Sequence, residues 1–207
     1  MTWIKICGIT NLEDALAAAS LGIQALGFVF APSPRRIDPP KAREIILHLP
    51  PSIQTVGVFV DAQMEEVYRV ARRCGLGAVQ LHGHEPPEYC HALAIPVIKA
   101  FRIRDEESFK AIGEYGSIPI LLDAWSKVRA GGTGKTFSWE IARRAIPSGA
   151  YILSGGLTPE NVGEAIGLLH PAGVDVSSGV EKCPGRKDFR QMKAFVQAVR
   201  RADGVSP

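Results

Sequence analysis

The residues of this chain that could do acid–base chemistry sit one by one at the ends of short apolar stretches. Cys7 ends IKIC and is followed by Gly8 and a helix start signal. That places a thiol at the carboxyl end of a strand, beside a helix amino terminus, where the dipole can lower a cysteine pKa from about 8.5. Arg35 follows the second stretch in APSPRRI, His82 the fourth in VQLHG, and Asp123 ends the sixth in ILLDAW. Asp175 lies in the eighth. Taken singly, each has an ordinary reading. A free cysteine is often a buried small hydrophobe, and an aspartate after a strand often a turn or cap residue. A lone His82 reads as a hydrogen-bonded structural residue, and a lone Arg35 as a solvated one. Their joint recurrence at strand ends points to proton transfer at one mouth.

Two loops add an anion site. LSGGLTP exposes backbone N–H groups at Gly155 and Gly156, and VSSGVE supplies Ser177, Ser178 and Gly179. Backbone amides beside a helix amino terminus bind phosphate well. A third glycine cluster, GGTGKT at Gly131–Thr136, resembles the tail of a nucleotide-binding P-loop. That motif needs a glycine five residues before its last one, and Arg129 stands there. The cluster instead reads as a substrate-covering loop, with Lys135 as an anion contact.

The elements that must position these residues follow from the apolar pattern. It alternates between strand-like and helix-like about eight times. Strands are expected at Ile4–Cys7, Ala25–Phe30, Thr55–Val60, Ala78–Leu81, Val97–Phe101, Ile118–Asp123, Tyr151–Ser154 and Val174–Val176. Most are short and apolar on both faces, as buried parallel strands are. Thr10-Asn11-Leu12-Glu13 predicts a capping box, with Gly22 as the stop of the first helix. Pro39-Pro40 opens the second helix, Pro159 lies just inside a later one, and Asp188–Arg201 forms the last. Eight strand–helix units predict an α/β chain folded as a (β/α)8 TIM barrel, residues 1–207 forming a single domain. A doubly wound open sheet is the alternative. The longer connections, Ala31–Asp38 and Ala124–Phe137, both fall on the face where barrel sites form.

Composition narrows the classes. The chain has 207 residues and a net charge of +3, with basic residues scattered apart from Arg35-Arg36, Arg72-Arg73 and Arg143-Arg144. No basic tract or aromatic RNA motif occurs, so nucleic acid is a poor partner. No apolar run reaches a membrane span. The four cysteines form no C-x-x-C pair, so a zinc ribbon or thioredoxin-type site is not expected. The amino terminus has no secretory pattern, and a reducing cytoplasm is the expected location.

The segments KICGIT, GFVF, VGVFV, QLHG, LLD followed by GGTGKTFSW, LSGGLTPENV and VDVSSGVE occur in the order and spacing of one family. The chain resembles the phosphoribosylanthranilate isomerases of tryptophan biosynthesis over nearly its whole length. The resemblance implies a barrel, no metal or organic cofactor, and a small phosphosugar substrate. The implied reaction is the Amadori rearrangement of N-(5-phosphoribosyl)anthranilate to 1-(2-carboxyphenylamino)-1-deoxyribulose 5-phosphate. It implies Cys7 as general base and Asp123 as general acid, and a substrate-binding group of Arg35, His82 and Asp175. Gly155, Gly156, Ser177, Ser178 and Gly179 would hold the phosphate. An acid is needed to open the furanose ring, and a carboxyl with a raised pKa would serve. The family often carries a tyrosine after the arginine that holds the anthranilate carboxylate. Here Arg36 stands there, so Arg35 and Arg36 compete for that role. An indole-glycerol-phosphate synthase-like barrel would need a catalytic lysine, and Lys5 is spaced to face inward with Cys7. A non-catalytic phosphate-ligand binder is the other alternative. Monomer and homodimer are both open.

Overall fold

The computed structural model describes residues 1–103, 106–124 and 151–205. The GGTGKT cluster, Lys135, the Arg143-Arg144 pair and the loop from Trp125 to Phe137 lie outside them. Eight parallel strands, β1 to β8, close into a barrel. They are β1 Trp3–Cys7, β2 Ala25–Val29, β3 Gln54–Phe59, β4 Ala78–Leu81, β5 Val97–Ile103, β6 Ile120–Ala124, β7 Tyr151–Ser154 and β8 Gly173–Val176. The last strand pairs with the first through Lys5↔Asp175 and Ile6↔Val176, which rules out an open sheet.

The strands alternate between two apolar environments. Ile4, Ile6, Leu26 and Phe28 face outward into the main core, against helix residues such as Ala15, Ala18 and Phe195. Ala25, Val56, Ala78, Ile98, Ala100 and Leu121 form a separate cluster inside the barrel, as its layered filling requires. The two-sided burial explains why the strands read as continuous apolar runs.

The outer ring contains α1 Leu12–Ala19, α2 Pro39–Ile46, α3 Met64–Cys74, α4 Pro87–Ala92, α5 Val162–Leu169 and α6 Phe189–Ala202. A 3-10 helix, Glu106–Tyr115, follows β5 in place of an α-helix. Three helix boundaries differ from the sequence expectation. Asn11, not Thr10, caps α1: its side chain accepts from the Asp14 amide, while the Thr10 hydroxyl donates to the Gly185 carbonyl. Pro159 precedes α5 in a turn that Asn161 closes by accepting from the Thr158 amide. Asp188 caps α6 rather than belonging to it, accepting from the Arg190 and Gln191 amides.

After β8 the chain makes a short 3-10 turn, Ser178–Val180, and a two-stranded hairpin of β9 Glu181–Cys183 and β10 Arg186–Lys187. Nothing in the apolar pattern signals this hairpin, because its strands are too short to show a period.

Candidate active site

The strand ends surround a cavity of about 600 Å³. Cys7 on β1, His82 after β4, Asp123 on β6 and Asp175 on β8 all line it. Cys7 is 7% exposed and packs with Val29 and Val58. Its thiol has room because Gly27 stands beside it on β2, where an added Cβ would lie 2.5 Å from Sγ. The expected help from a helix amino terminus does not materialise. The Gly8 and Ile9 amides both donate to the Gly27 carbonyl, and α1 begins only at Leu12. Burial therefore pushes the Cys7 thiol up, opposed by the charges of Lys5 and Lys187.

Lys5 faces inward as its spacing requires, but it is fully buried beneath the cavity, and its Nζ donates to Asp175 Oδ1 at 2.9 Å. Burial lowers the Lys5 pKa and the Asp175 and Cys7 charges raise it, with a net upward shift. A buried, ion-paired ammonium is a poor nucleophile, which weighs against a lysine-dependent synthase. The second Asp175 oxygen accepts from Ser154 Oγ at 3.4 Å. His82 Nε2 lies 3.2 Å from Asp123 Oδ2.

At one side of the cavity, Gly155 and Gly156 adopt φ of +89° and +66°, turning the chain so that backbone faces the opening. Their amides donate to no protein carbonyl among the described residues. Ser177 and Ser178 line the same side, and the buried Ser177 Oγ has no hydrogen-bond partner among the described residues. Gly179 stands behind this wall, where a Cβ would collide with the Leu157 carbonyl.

Arg35 lines the cavity, whereas Arg36 is exposed and does not. Arg35 uses Nε and Nη2 to grip Glu181, with Nη2–Oε2 at 2.6 Å. Glu181 also accepts from Lys187 Nζ at 2.8 Å. Nη1 of Arg35 makes no hydrogen bond among the described residues. Three contributors went unread in the sequence. Glu181 and Lys187 belong to the unforeseen hairpin. Arg102 lines the cavity because β5 runs two residues past the expected Phe101, continuing the inward series Ile98, Ala100. Among the described residues no group of three or more His, Cys, Asp or Glu could hold a metal ion.

A family model described as N-(5'phosphoribosyl)anthranilate (PRA) isomerase matches residues 4–198. The chain belongs to the phosphoribosylanthranilate isomerase family. It is 53% identical to N-(5'-phosphoribosyl)anthranilate isomerase of Geobacter sulfurreducens over 205 residues, covering 99% of this chain and 100% of that one. The Moorella thermoacetica enzyme of that name is 52% identical, with 98% and 92% covered. Among solved structures, the phosphoribosyl anthranilate isomerase of Thermotoga maritima superposes with a TM-score of 0.86 at 46% identity, covering 99% of this chain and 100% of that one. Another structure of the family, solved with reduced 1-(o-carboxyphenylamino)-1-deoxyribulose 5-phosphate, also gives 0.86, at 44% identity and the same coverage.

Proposed function

We infer that this isomerase runs the Amadori rearrangement of N-(5-phosphoribosyl)anthranilate in the cavity at the strand ends, with Asp123 as general acid and Cys7 as general base. The observation that carries this reading is that both side chains line one cavity that is also lined by the Gly155-Gly156 turn, Ser177, Ser178 and Arg35. The substrate carries two anions, a phosphate and an anthranilate carboxylate. The Gly155-Gly156 turn and Ser177-Ser178 suit the phosphate. Arg35, held by Glu181 with Nη1 left over, suits the carboxylate and is favoured over the exposed Arg36. A family member binds a reduced product of the same chemistry, in keeping with this placement.

In the first step Asp123 gives its proton to the furanose ring oxygen, the C1′–O bond breaks, and a protonated Schiff base forms. The iminium acidifies C2′–H. The Cys7 thiolate takes that proton and becomes a thiol, leaving an enolamine. Loss of the C2′ hydroxyl proton and protonation at C1′ give the aminoketose. Burial makes Cys7 a strong base once deprotonated, and the Lys5 ammonium offsets part of the cost of forming the anion. The four free thiols suit a reducing compartment, which is in keeping with a cytoplasmic location.

Purified Asp123→Asn and Cys7→Ser test the roles. Each is expected to lower kcat by about 10²-fold or more while keeping a cooperative unfolding transition. Near-wild-type turnover in either folded variant refutes that residue's role.

A further inference from the structure

Gln80 is a buried polar side chain that lines the cavity beside His82. It is 2% exposed, points into the barrel, and is flanked across the ladder by Val58 and Ile98. Its Nε2 lies 3.1 Å from His82 Nδ1, and its Oε1 has no hydrogen-bond partner among the described residues. The amide therefore cross-links nothing else among the described residues, and its one bond goes to His82. The other ring nitrogen of His82 faces Asp123. A neutral imidazole carries its proton on one nitrogen only, and the bond made by the other decides which. An N–H donor at Nδ1 leaves Nδ1 as acceptor and puts the proton on Nε2, aimed at the carboxylate.

We propose that Gln80 is a positioning residue: it holds His82 as the Nε2–H tautomer, so that a neutral imidazole donates to Asp123 and keeps the carboxyl oriented towards the cavity. This rests on the reading of Asp123 as the general acid. The alternative orientation of the amide would present Oε1 to Nδ1, leaving on His82 Nε2 a lone pair that either opposes an ionised Asp123 or accepts the Asp123 proton that the ring oxygen needs. The other titratable or charged groups lining the cavity are Cys7 on β1, Arg35 after β2, Arg102 on β5 and Asp175 on β8. None of them bonds to His82 or Asp123 among the described residues, so Gln80 is the partner that selects the tautomer.

The test uses full-length protein labelled with ¹⁵N-histidine, with the His82 signals assigned by their loss in His82→Asn. Two-bond ¹⁵N–¹H correlation at alkaline pH is expected to show the Nε2–H tautomer in the wild type. In Gln80→Met, similar in size and without the amide, the tautomers should mix. kcat should fall about tenfold, part of the 10²–10⁴ that a general acid supplies, with KM within about twofold. Gln80→Glu, ionised at alkaline pH, offers Nδ1 only an acceptor, so the proton should move to Nδ1 and kcat there should fall further. Gln80→Met should unfold no earlier than the wild type, since the orphaned Oε1 is removed; a merely structural role predicts the reverse. A retained Nε2–H tautomer with wild-type kcat in Gln80→Met overturns the proposal. An active Asp123→Asn overturns the acid assignment instead, whatever the tautomer spectra show.

Discussion

Gly27→Ala is the most incisive perturbation of this site, because it adds one methyl beside the thiol and touches no charged group. A Cβ at Gly27 would lie 2.5 Å from Cys7 Sγ and 3.1 Å from Cys7 Cα and Cβ. Ordinary contact begins near 3.4 Å, so the sulfur must shift by roughly 1 Å or leave its rotamer. Overpacking of this kind costs about 1–3 kcal/mol. The stiffer alanine backbone returns about 0.4–1 kcal/mol through the unfolded state. The net loss should be about 1–2 kcal/mol, a fall in Tm of about 3–6 °C for a chain of this size. Misplacing a reacting atom by about 1 Å costs on the order of 10²-fold in rate. Turnover followed by the loss of substrate fluorescence should therefore fall about 100-fold at saturating substrate. KM should change little, because the anion sites are untouched. The double variant Gly27→Ala/Cys7→Ala should recover the lost stability and remain inactive. Gly167→Ala, on α5 with nothing within 4 Å of the new Cβ, should gain about 0.5–1 kcal/mol and keep full activity. Wild-type turnover in Gly27→Ala, or no recovery in the double variant, refutes the idea that this glycine exists to seat the thiol.

Two further outcomes follow from charges around the cavity. Burial pushes the Cys7 thiol above its ordinary value, which leaves little thiolate at neutral pH. Its alkylation by iodoacetamide, resolved from the exposed Cys183 by peptide mass spectrometry, should rise with pH to a midpoint above about 8.5; a midpoint below that contradicts the burial argument. Burial also raises the Glu181 carboxyl, but its bonds and charge contacts with Arg35 and Lys187 prevail and its pKa is lowered. Its contribution to stability is then fully present above the unfolded value of about 4.3 and is lost as pH falls through the folded value. Glu181→Gln strands the fully buried Lys187 ammonium and should cost about 3–5 kcal/mol at pH 7 in urea unfolding, with a shallower further loss into acid; unchanged stability at pH 7 would show the triad to be idle.

All eight strands are legible in the chain because a parallel strand buried on both faces must be apolar along its whole length. Only the ends of β1, β2, β3, β5, β6 and β8 shift, by one or two residues. The shift at β5 matters, since it brings Arg102 to the cavity. The helix caps were less legible. Thr10-Asn11 offers two capping side chains in succession, and the contact of Thr10 with Gly185, 175 positions away, decides between them. The Arg35–Glu181–Lys187 cluster was invisible for the same reason: its members come from the loop after β2 and from a hairpin after β8.

What the amino-acid sequence determines by itself is the list of eight strands to within a residue or two at their ends, and with it the candidates Cys7, His82, Asp123, Asp175 and the two glycine–serine loops, because each buried strand is apolar along its length. Their surroundings are decided only when β1 pairs with β2 on one side and β8 on the other. The β8 pairing sets Asp175 against Lys5, the β2 pairing sets Cys7 against the methyl-free Gly27, and burial pushes the thiol up without the help of the helix amino terminus that its sequence neighbourhood suggested. Proton affinities depend on burial and on charges brought near through space, and neither is a property of adjacent residues.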